Sequence, residues 1–173
     1  MRVDLRPHEP TRCEGAHCSA DELEGLPPRH AILQPELDAG GLDAVLATVA
    51  SVESFREAAD VLGGWRVLGR SPTAAFVIAR SAAEIRAAHA DGKRAVVLHL
   101  QGGNPIEDNV DIVDVFHGLG VRVVQITYNH RNLIGDGCLE EVNGGLSVFG
   151  RRVIERLQEL RIAIDVTHVK DRP

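Results

Sequence analysis

The chain is poor in aromatic residues, which make up only 3% of its 173 residues. With so few rings, the core has to be built from Leu, Val, Ile and Ala, and the apolar fraction of 44% is typical of a soluble globular domain. No apolar run approaches the roughly 20 residues that a membrane-spanning helix needs. The composition therefore argues against a disordered chain and against a membrane span.

Cysteine is also scarce, and the three cysteines, Cys13, Cys18 and Cys138, cannot all pair within one chain. We therefore expect no disulfide framework and a cytoplasmic location, where thiols stay reduced. Residues 1–10 contain no apolar segment of the kind that a secretory signal carries. A formal net charge of −6 disfavours non-specific binding to nucleic acid.

The first 38 residues lack a hydrophobic period and contain five of the eight prolines. Clustered prolines and scattered charges are typical of loops rather than of helices or strands. We predict an irregular N-terminal arm over residues 1–38, with at most a short strand at Met1–Leu5. A single domain is predicted over residues 39–173.

From Gly40 onward, apolar runs typical of buried parallel strands alternate with segments of helical periodicity. Strands are predicted at Leu42–Ala50, Ala74–Ala79, Arg94–Leu100, Val121–Thr127 and Arg161–Val166. Helices are predicted after Ser51, with Gly63-Gly64 ending or interrupting the helix, after the capping box Ser81–Glu84, and over Val110–Leu119 and Val148–Leu160. A polar loop over residues 128–145 precedes the last helix.

This alternation indicates parallel strands joined by right-handed crossovers, and so an α/β fold. Two architectures are compatible with it. One is a partial (β/α) TIM-type barrel of about five parallel strands with crossover helices, and the other is an open doubly wound parallel sheet. A complete barrel needs eight strands and about 250 residues, so this chain would supply about half of one.

In both architectures, function lies at the C-terminal ends of the strands. Polar residues follow three predicted strands, at His99–Asn104, Thr127–Asn132 and Asp165–His168. His168 is the best single candidate, because its ring can point into a barrel mouth; the alternative is a solvated surface histidine. His99 shares a face with Gln101 and either lines the interior or, our preferred interpretation, packs in the core with a hydrogen bond.

Several stretches, in order, resemble the renal (membrane) dipeptidase family of zinc peptidases, within the amidohydrolase superfamily. They are GGLDAV, QGGNPIEDN, FHGLGVRVVQITYNHRNLIGDGC, GGLSVFGRRVIERLQEL and IAIDVTHV, and the likeness covers about residues 38–170. The resemblance implies a (β/α)-barrel hydrolase that acts on dipeptides or related small amides through two zinc ions joined by a glutamate. It favours the partial barrel, with the third, fourth and fifth strands adjacent and parallel in chain order.

Carried over residue by residue, the resemblance implies an incomplete set of zinc ligands. His168 matches a zinc-binding histidine of the family. Gln101 stands in the place of the bridging glutamate, and a neutral amide cannot join two cations as a carboxylate does. His17 is a weaker match to the first-strand His-x-Asp motif, because Ser19 stands where the aspartate belongs.

The resemblance also implies that Tyr128, Asn129 and Asn132 lie in a loop near the substrate. Tyr128 takes the place of a histidine found in the mammalian members. The family's second later histidine and its catalytic aspartate lie beyond the fifth strand and have no match in this sequence.

These departures lead to two hypotheses. In the first, the chain is a metallo-dipeptidase, or a piece of one whose remainder is elsewhere, and by itself it binds at most one zinc weakly and hydrolyses dipeptides little or not at all. In the second, it is a non-catalytic homologue that serves as a scaffold for binding or assembly. Because a truncated sheet leaves strand edges and apolar surface uncovered, we also expect self-association or a requirement for the missing C-terminal half.

Overall fold

The computed structural model describes residues 39–170. The predicted arm over residues 1–38, the strand at Met1–Leu5 and the candidate ligand His17 lie outside the described residues. The observed elements are β1 (Ala44–Ala50), α1 (Phe55–Gly69), β2 (Phe76–Ile78), α2 (Ala82–Ala90), β3 (Arg94–Leu100), α3 (Ile112–Leu119), β4 (Val121–Gln125), α4 (Val148–Glu159) and β5 (Ala163–Asp165). A short 3-10 helix, Asn104–Ile106, follows β3 and was not predicted.

The strands form one parallel sheet in the order β1-β3-β4-β5. Strand β2 lies off this path and pairs with the first half of β3, from Phe76 opposite Arg94 to Ile78 opposite Val96. The prediction that β3, β4 and β5 are adjacent and parallel in chain order is confirmed. Strands β3, β4 and β5 follow one another in chain order, as consecutive strands of a barrel do, whereas a doubly wound sheet reverses its order at a switch point.

The start and the length of α1 differ from the prediction. Ser54, not Ser51, is the N-cap, because the Ser54 side chain accepts from the backbone N–H of Glu57 and the Glu57 carboxylate accepts from the backbone N–H of Ser54. The helix also continues through Gly63-Gly64 to Gly69. Residues beyond the glycines pack on the core, and this burial outweighs the weak helix propensity of glycine, about 1 kcal/mol per residue.

The other helix starts follow the predicted caps more closely. Ser81 caps α2 through the backbone N–H of Glu84, although the Glu84 carboxylate accepts from Arg80 rather than completing the capping box. Ser147 caps α4 through the backbone N–H of Gly150. Gly150 lies so close to the preceding loop that an added Cβ would be 1.9 Å from the carbonyl oxygen of Ile134.

The two faces of β3 have different surroundings. Val96, Leu98 and Leu100 belong to a large apolar core. The helical residues of that core include Ala58, Leu62, Val113, Phe116, Val153 and Leu157, from α1, α3 and α4. The opposite face, which carries Ala95, Val97 and His99, has a small cluster with α2 at its N-terminal end.

The neighbouring strand shows how open the second face is. Leu46 of β1 pairs with Val97 and is 56% exposed. The same face continues to His99 and then to the C-terminal ends of the strands. None of the helices within residues 39–170 has the length and apolar character to cross a membrane.

Candidate functional site

The C-terminal ends of β3, β4 and β5 meet at one edge of the sheet, and polar residues follow each of them. Gln101 follows β3 and is tied to β1 by a 2.7 Å hydrogen bond from its backbone N–H to the Ala50 carbonyl. Gln125 ends β4, is buried, and pairs in register with Asp165 of β5. The three predicted polar strand ends are therefore brought to one edge of the sheet.

His168 and Tyr128, two of the predicted site residues, lie against each other. Their ring centroids are 4.9 Å apart, and His168 Nδ1 is 3.7 Å from Cys138 Sγ. The backbone of His168 has a φ of 63°, and its carbonyl accepts from Thr127 Oγ1 at 3.1 Å and from the Cys138 N–H at 2.8 Å. The end of the fifth strand is thus fastened to the loop that follows β4.

Asn129 lies on the other side of Cys138, whose Sγ is 3.9 Å from the Asn129 amide oxygen. The Asn129 carbonyl accepts from the Leu139 N–H at 2.9 Å. A Cβ on Gly137 would be 2.2 Å from that carbonyl oxygen, so the loop can close here only with glycine. Cys138 entered the sequence analysis only as an unpaired thiol, and its place in a Gly-Asp-Gly-Cys turn was the available signal.

Asn132 is engaged by the fold of the loop. Its amide oxygen accepts from the N–H groups of Ile134 and Gly135, at 2.8 and 3.2 Å. Its amide nitrogen donates to the Ile126 carbonyl at 2.9 Å and to Asn104 Oδ1 at 3.3 Å. These bonds give Asn132 a structural role, and its contact with a substrate stays a prediction.

Sequence reasoning missed Asp136, the buried anchor of this loop. The side chain is 5% exposed, forms a two-point ion pair with Arg131, and accepts from the Gly144 N–H. The Arg131 hydrogen bond, followed by that of Gly144, holds the pKa of Asp136 below its ordinary value. A cleft of about 380 Å³ borders this anchor, with Leu146, Arg151, Val169 and Lys170 among its lining residues.

His99 and Asp165 face each other at the same edge of the sheet. His99 is 6% exposed, and its Nε2 atom lies 3.7 Å from Asp165 Oδ2 without a hydrogen-bond partner among residues 39–170. Burial lowers the pKa of His99, and the negative charge of Asp165 only partly opposes this. The prediction of a buried ring holds, but Nε2 lacks the core hydrogen bond that we preferred.

Among residues 39–170, the residues implied by the resemblance do not assemble a two-zinc site. Gln101 supplies a neutral amide, and the side chain of His168 contacts Tyr128 and Cys138. In the described part of the chain, no group of three or more His, Cys, Asp and Glu side chains is arranged to hold a metal ion.

Comparisons with known proteins agree with the resemblance. The chain is 29% identical over 101 residues to an uncharacterized protein from Acinetobacter calcoaceticus, which covers 55% of this chain and 32% of that protein. It is 26% identical over 97 residues to dipeptidase tcpJ from Claviceps purpurea, which covers 55% of this chain and 23% of that protein.

A solved structure described as an amidohydrolase from Pseudomonas aeruginosa has a TM-score of 0.76 and 35% identity, covering 80% of this chain and 42% of that one. The chain thus spans less than half the length of each of these relatives. The model of the membrane dipeptidase family, peptidase family M19, matches residues 34–173. This match covers most of the sequence, and the chain belongs to the membrane dipeptidase family.

Proposed function

We propose that this chain is a metal-dependent hydrolase of dipeptides or related small amides, with zinc as the metal, and that its 173 residues alone are weakly active or inactive. The placement of His168 beside Tyr128, at the edge where β3, β4 and β5 end, carries the proposal. That edge is where barrel enzymes hold their catalytic residues. Family membership supplies the reaction type.

In this proposal, the chain's own residues bind and orient the substrate. The Tyr128 ring offers an apolar surface, and the Asn129 amide offers a donor and an acceptor. Asn132 and Asp136 hold the loop that carries both residues.

Gln101 supports a second candidate function, that of a non-catalytic scaffold. A neutral amide at the bridging position does not supply the charge that two zinc ions require. Assembly would use the uncovered strand edges and the face that exposes Leu46. We also propose a cytoplasmic location for the chain, with which the free thiol of Cys138 is compatible.

One assay tests the low activity of the 173 residues alone, and the reading frame beyond them separates the two functions. The purified chain is incubated with a panel of dipeptides, with added zinc and with a chelator, beside the variant Gln101→Glu. We expect little or no chelator-sensitive hydrolysis from either protein, since a carboxylate at 101 leaves the other ligands unchanged. Strong chelator-sensitive turnover by the wild-type chain would contradict the proposal that the 173 residues by themselves are weakly active or inactive. A reading frame that continues past Pro173 into the rest of a barrel would favour the enzyme over the scaffold.

A further inference from the structure

The loop residue Cys138 lies between two of the predicted site residues, His168 and Asn129. Its Sγ atom is 3.7 Å from His168 Nδ1 and 3.9 Å from Asn129 Oδ1. Sulfur is larger than oxygen or nitrogen and forms weaker, longer hydrogen bonds, so both distances are compatible with one. The resemblance assigns no role to this thiol, and the structure places it in contact with two polar side chains of the site.

The three groups allow one consistent set of donors and acceptors. Asn129 Oδ1 is a carbonyl oxygen and can only accept, so the single thiol hydrogen of Cys138 points to it. The sulfur then has no hydrogen left for His168 and has to accept from the Nδ1–H group of the ring. A neutral ring that carries its proton on Nδ1 leaves Nε2 with a free lone pair. The chain Nδ1–H···Sγ–H···Oδ1 therefore selects one tautomer of His168.

The position of the thiol is set by the backbone around it. Gly137 forms an isolated antiparallel bridge with Val169, next to His168. The Cys138 N–H donates to the His168 carbonyl at 2.8 Å, and the Leu139 N–H donates to the Asn129 carbonyl at 2.9 Å. The thiol is thus carried by a backbone that is bonded to both of its partners, so it can hold the ring in place.

The backbone of His168 is also constrained. Its φ of 63° lies in the left-handed region, which residues other than glycine rarely adopt and keep only where the surroundings fix it. The His168 carbonyl accepts from Thr127 Oγ1 as well as from Cys138, and the Tyr128 ring packs against the imidazole at a centroid distance of 4.9 Å. Within this frame, the thiol is the group that contacts a ring nitrogen.

We propose that Cys138 is a positioning residue, which holds the His168 ring as the Nδ1–H tautomer and leaves the Nε2 lone pair unshared. The inference rests on the proposed function, in which His168 acts at the edge where β3, β4 and β5 end. It adds that His168 acts there as the donor of an electron pair and not of a proton. The nitrogen that a histidine uses is commonly set by the hydrogen bond of its other nitrogen, and here a neutral thiol makes that bond.

The test reads the tautomer of His168 in the purified chain, without substrate or added metal. The histidines are isotopically labelled, the pH keeps the rings neutral, and the His168→Ala variant identifies the resonances of His168. We expect the nitrogen spectrum of the wild-type chain to show a protonated Nδ1 and an unprotonated Nε2.

Three variants show whether Cys138 sets this state. Cys138→Ala should lose the single tautomer and give a mixture of both forms. Cys138→Ser should keep the Nδ1–H form, because a hydroxyl can accept and donate as the thiol does. Leu139→Ala changes an exposed side chain in the same loop and is the matched control, with the wild-type spectrum expected. Circular dichroism establishes that each variant is folded.

A second measurement follows the thiol itself. The S–H stretching vibration falls in frequency when a thiol donates a hydrogen bond, and the difference spectrum between wild type and Cys138→Ser separates this band from those of Cys13 and Cys18. The band should keep its low frequency in His168→Ala, because the thiol donates to Asn129. A rise to the frequency of a free thiol would show that it donates to the ring instead, which would overturn the proposal.

The tautomer decides the proposal in the other arms. An Nε2–H form in the wild-type chain would overturn it, as would an unchanged tautomer in a folded Cys138→Ala variant. If Cys138→Ala does not fold, the wild-type spectrum still decides, because the proposal requires the Nδ1–H form there. None of these readouts depends on turnover, so an inactive chain would contradict the proposed hydrolase and leave the role of Cys138 standing.

Discussion

The two faces of the sheet differ in how they are covered and in the side chains that they carry. One face of β3, with Val96, Leu98 and Leu100, is closed by helices. The other face presents the exposed Leu46, the buried His99 and the polar strand ends. The comparison shows that apolar packing is concentrated on one side of the sheet, and the chemistry and association that we propose would use the other side.

The largest effect should come from opening a cavity in the closed face. Leu98 is fully buried, and Leu98→Ala should lower the free energy of unfolding by about 2–5 kcal/mol. Leu46→Ala, on the open face, should change it by about 0.5 kcal/mol or less. Urea denaturation followed by circular dichroism measures both, and equal losses would show that the open face is packed in solution.

A methyl group at Gly150 should be almost as damaging, because its Cβ would meet the Ile134 carbonyl at 1.9 Å. We expect Gly150→Ala to cost about 1–3 kcal/mol through overpacking. Gly63→Ala is the matched control, since an added Cβ there meets nothing within 4 Å. It should stabilise α1 by up to about 1 kcal/mol. Thermal unfolding of both variants would reveal whether the loop can retreat from α4.

The loop at the edge of the sheet should be sensitive to acid. Because the pKa of Asp136 is lower in the folded chain than in the unfolded one, its contribution is present above the ordinary pKa of 3.8 and is lost as the pH falls through the folded value. Asp136→Asn and Arg131→Gln should both flatten the acid side of a plot of unfolding midpoint against pH. If the acid side of the plot is unchanged in both variants, the ionisation of Asp136 does not cause the loss of stability in acid.

The smallest effect on stability, with a clear effect on assembly, is expected at Leu46. We expect the wild-type chain to self-associate, and Leu46→Glu to shift it toward monomer by placing a charge on the open face. Light scattering over a range of micromolar concentrations measures this. A wild-type chain that stays monomeric throughout would show that the open face does not drive association.

The sequence predicted the elements whose signals are local. The run at Arg94–Leu100 is the strand β3 without change, and Ser147 caps α4 as expected. The predicted cap Ser51 is wrong, because the N-cap is Ser54 and its bonds with Glu57 depend on side-chain geometry that the sequence pattern does not give. The bounds of β3 and the starts of α1 and α4 were therefore predicted to within a few residues.

The candidate site depends on distant partners and was predicted only in outline. The positions of His168 and Tyr128 followed from where strands end, but the contact of His168 with Cys138 depends on how 18 loop residues fold, from 128 to 145. Asp136 finds Arg131 and Gly144 only in the closed loop. The approach of His99 to Asp165 joins strands 66 residues apart in sequence.

One edge of strand β3 pairs with β2 along its first half and with β4 along its second half. The other edge of β3 pairs with β1. On the ribosome, β1 and β2 therefore emerge before the segment that pairs with them. The sheet can begin to form only after about residue 100 has left the exit tunnel, so that synthesis delays folding of the first half. Until then, the apolar segments of β1 and β2 remain exposed to chaperones.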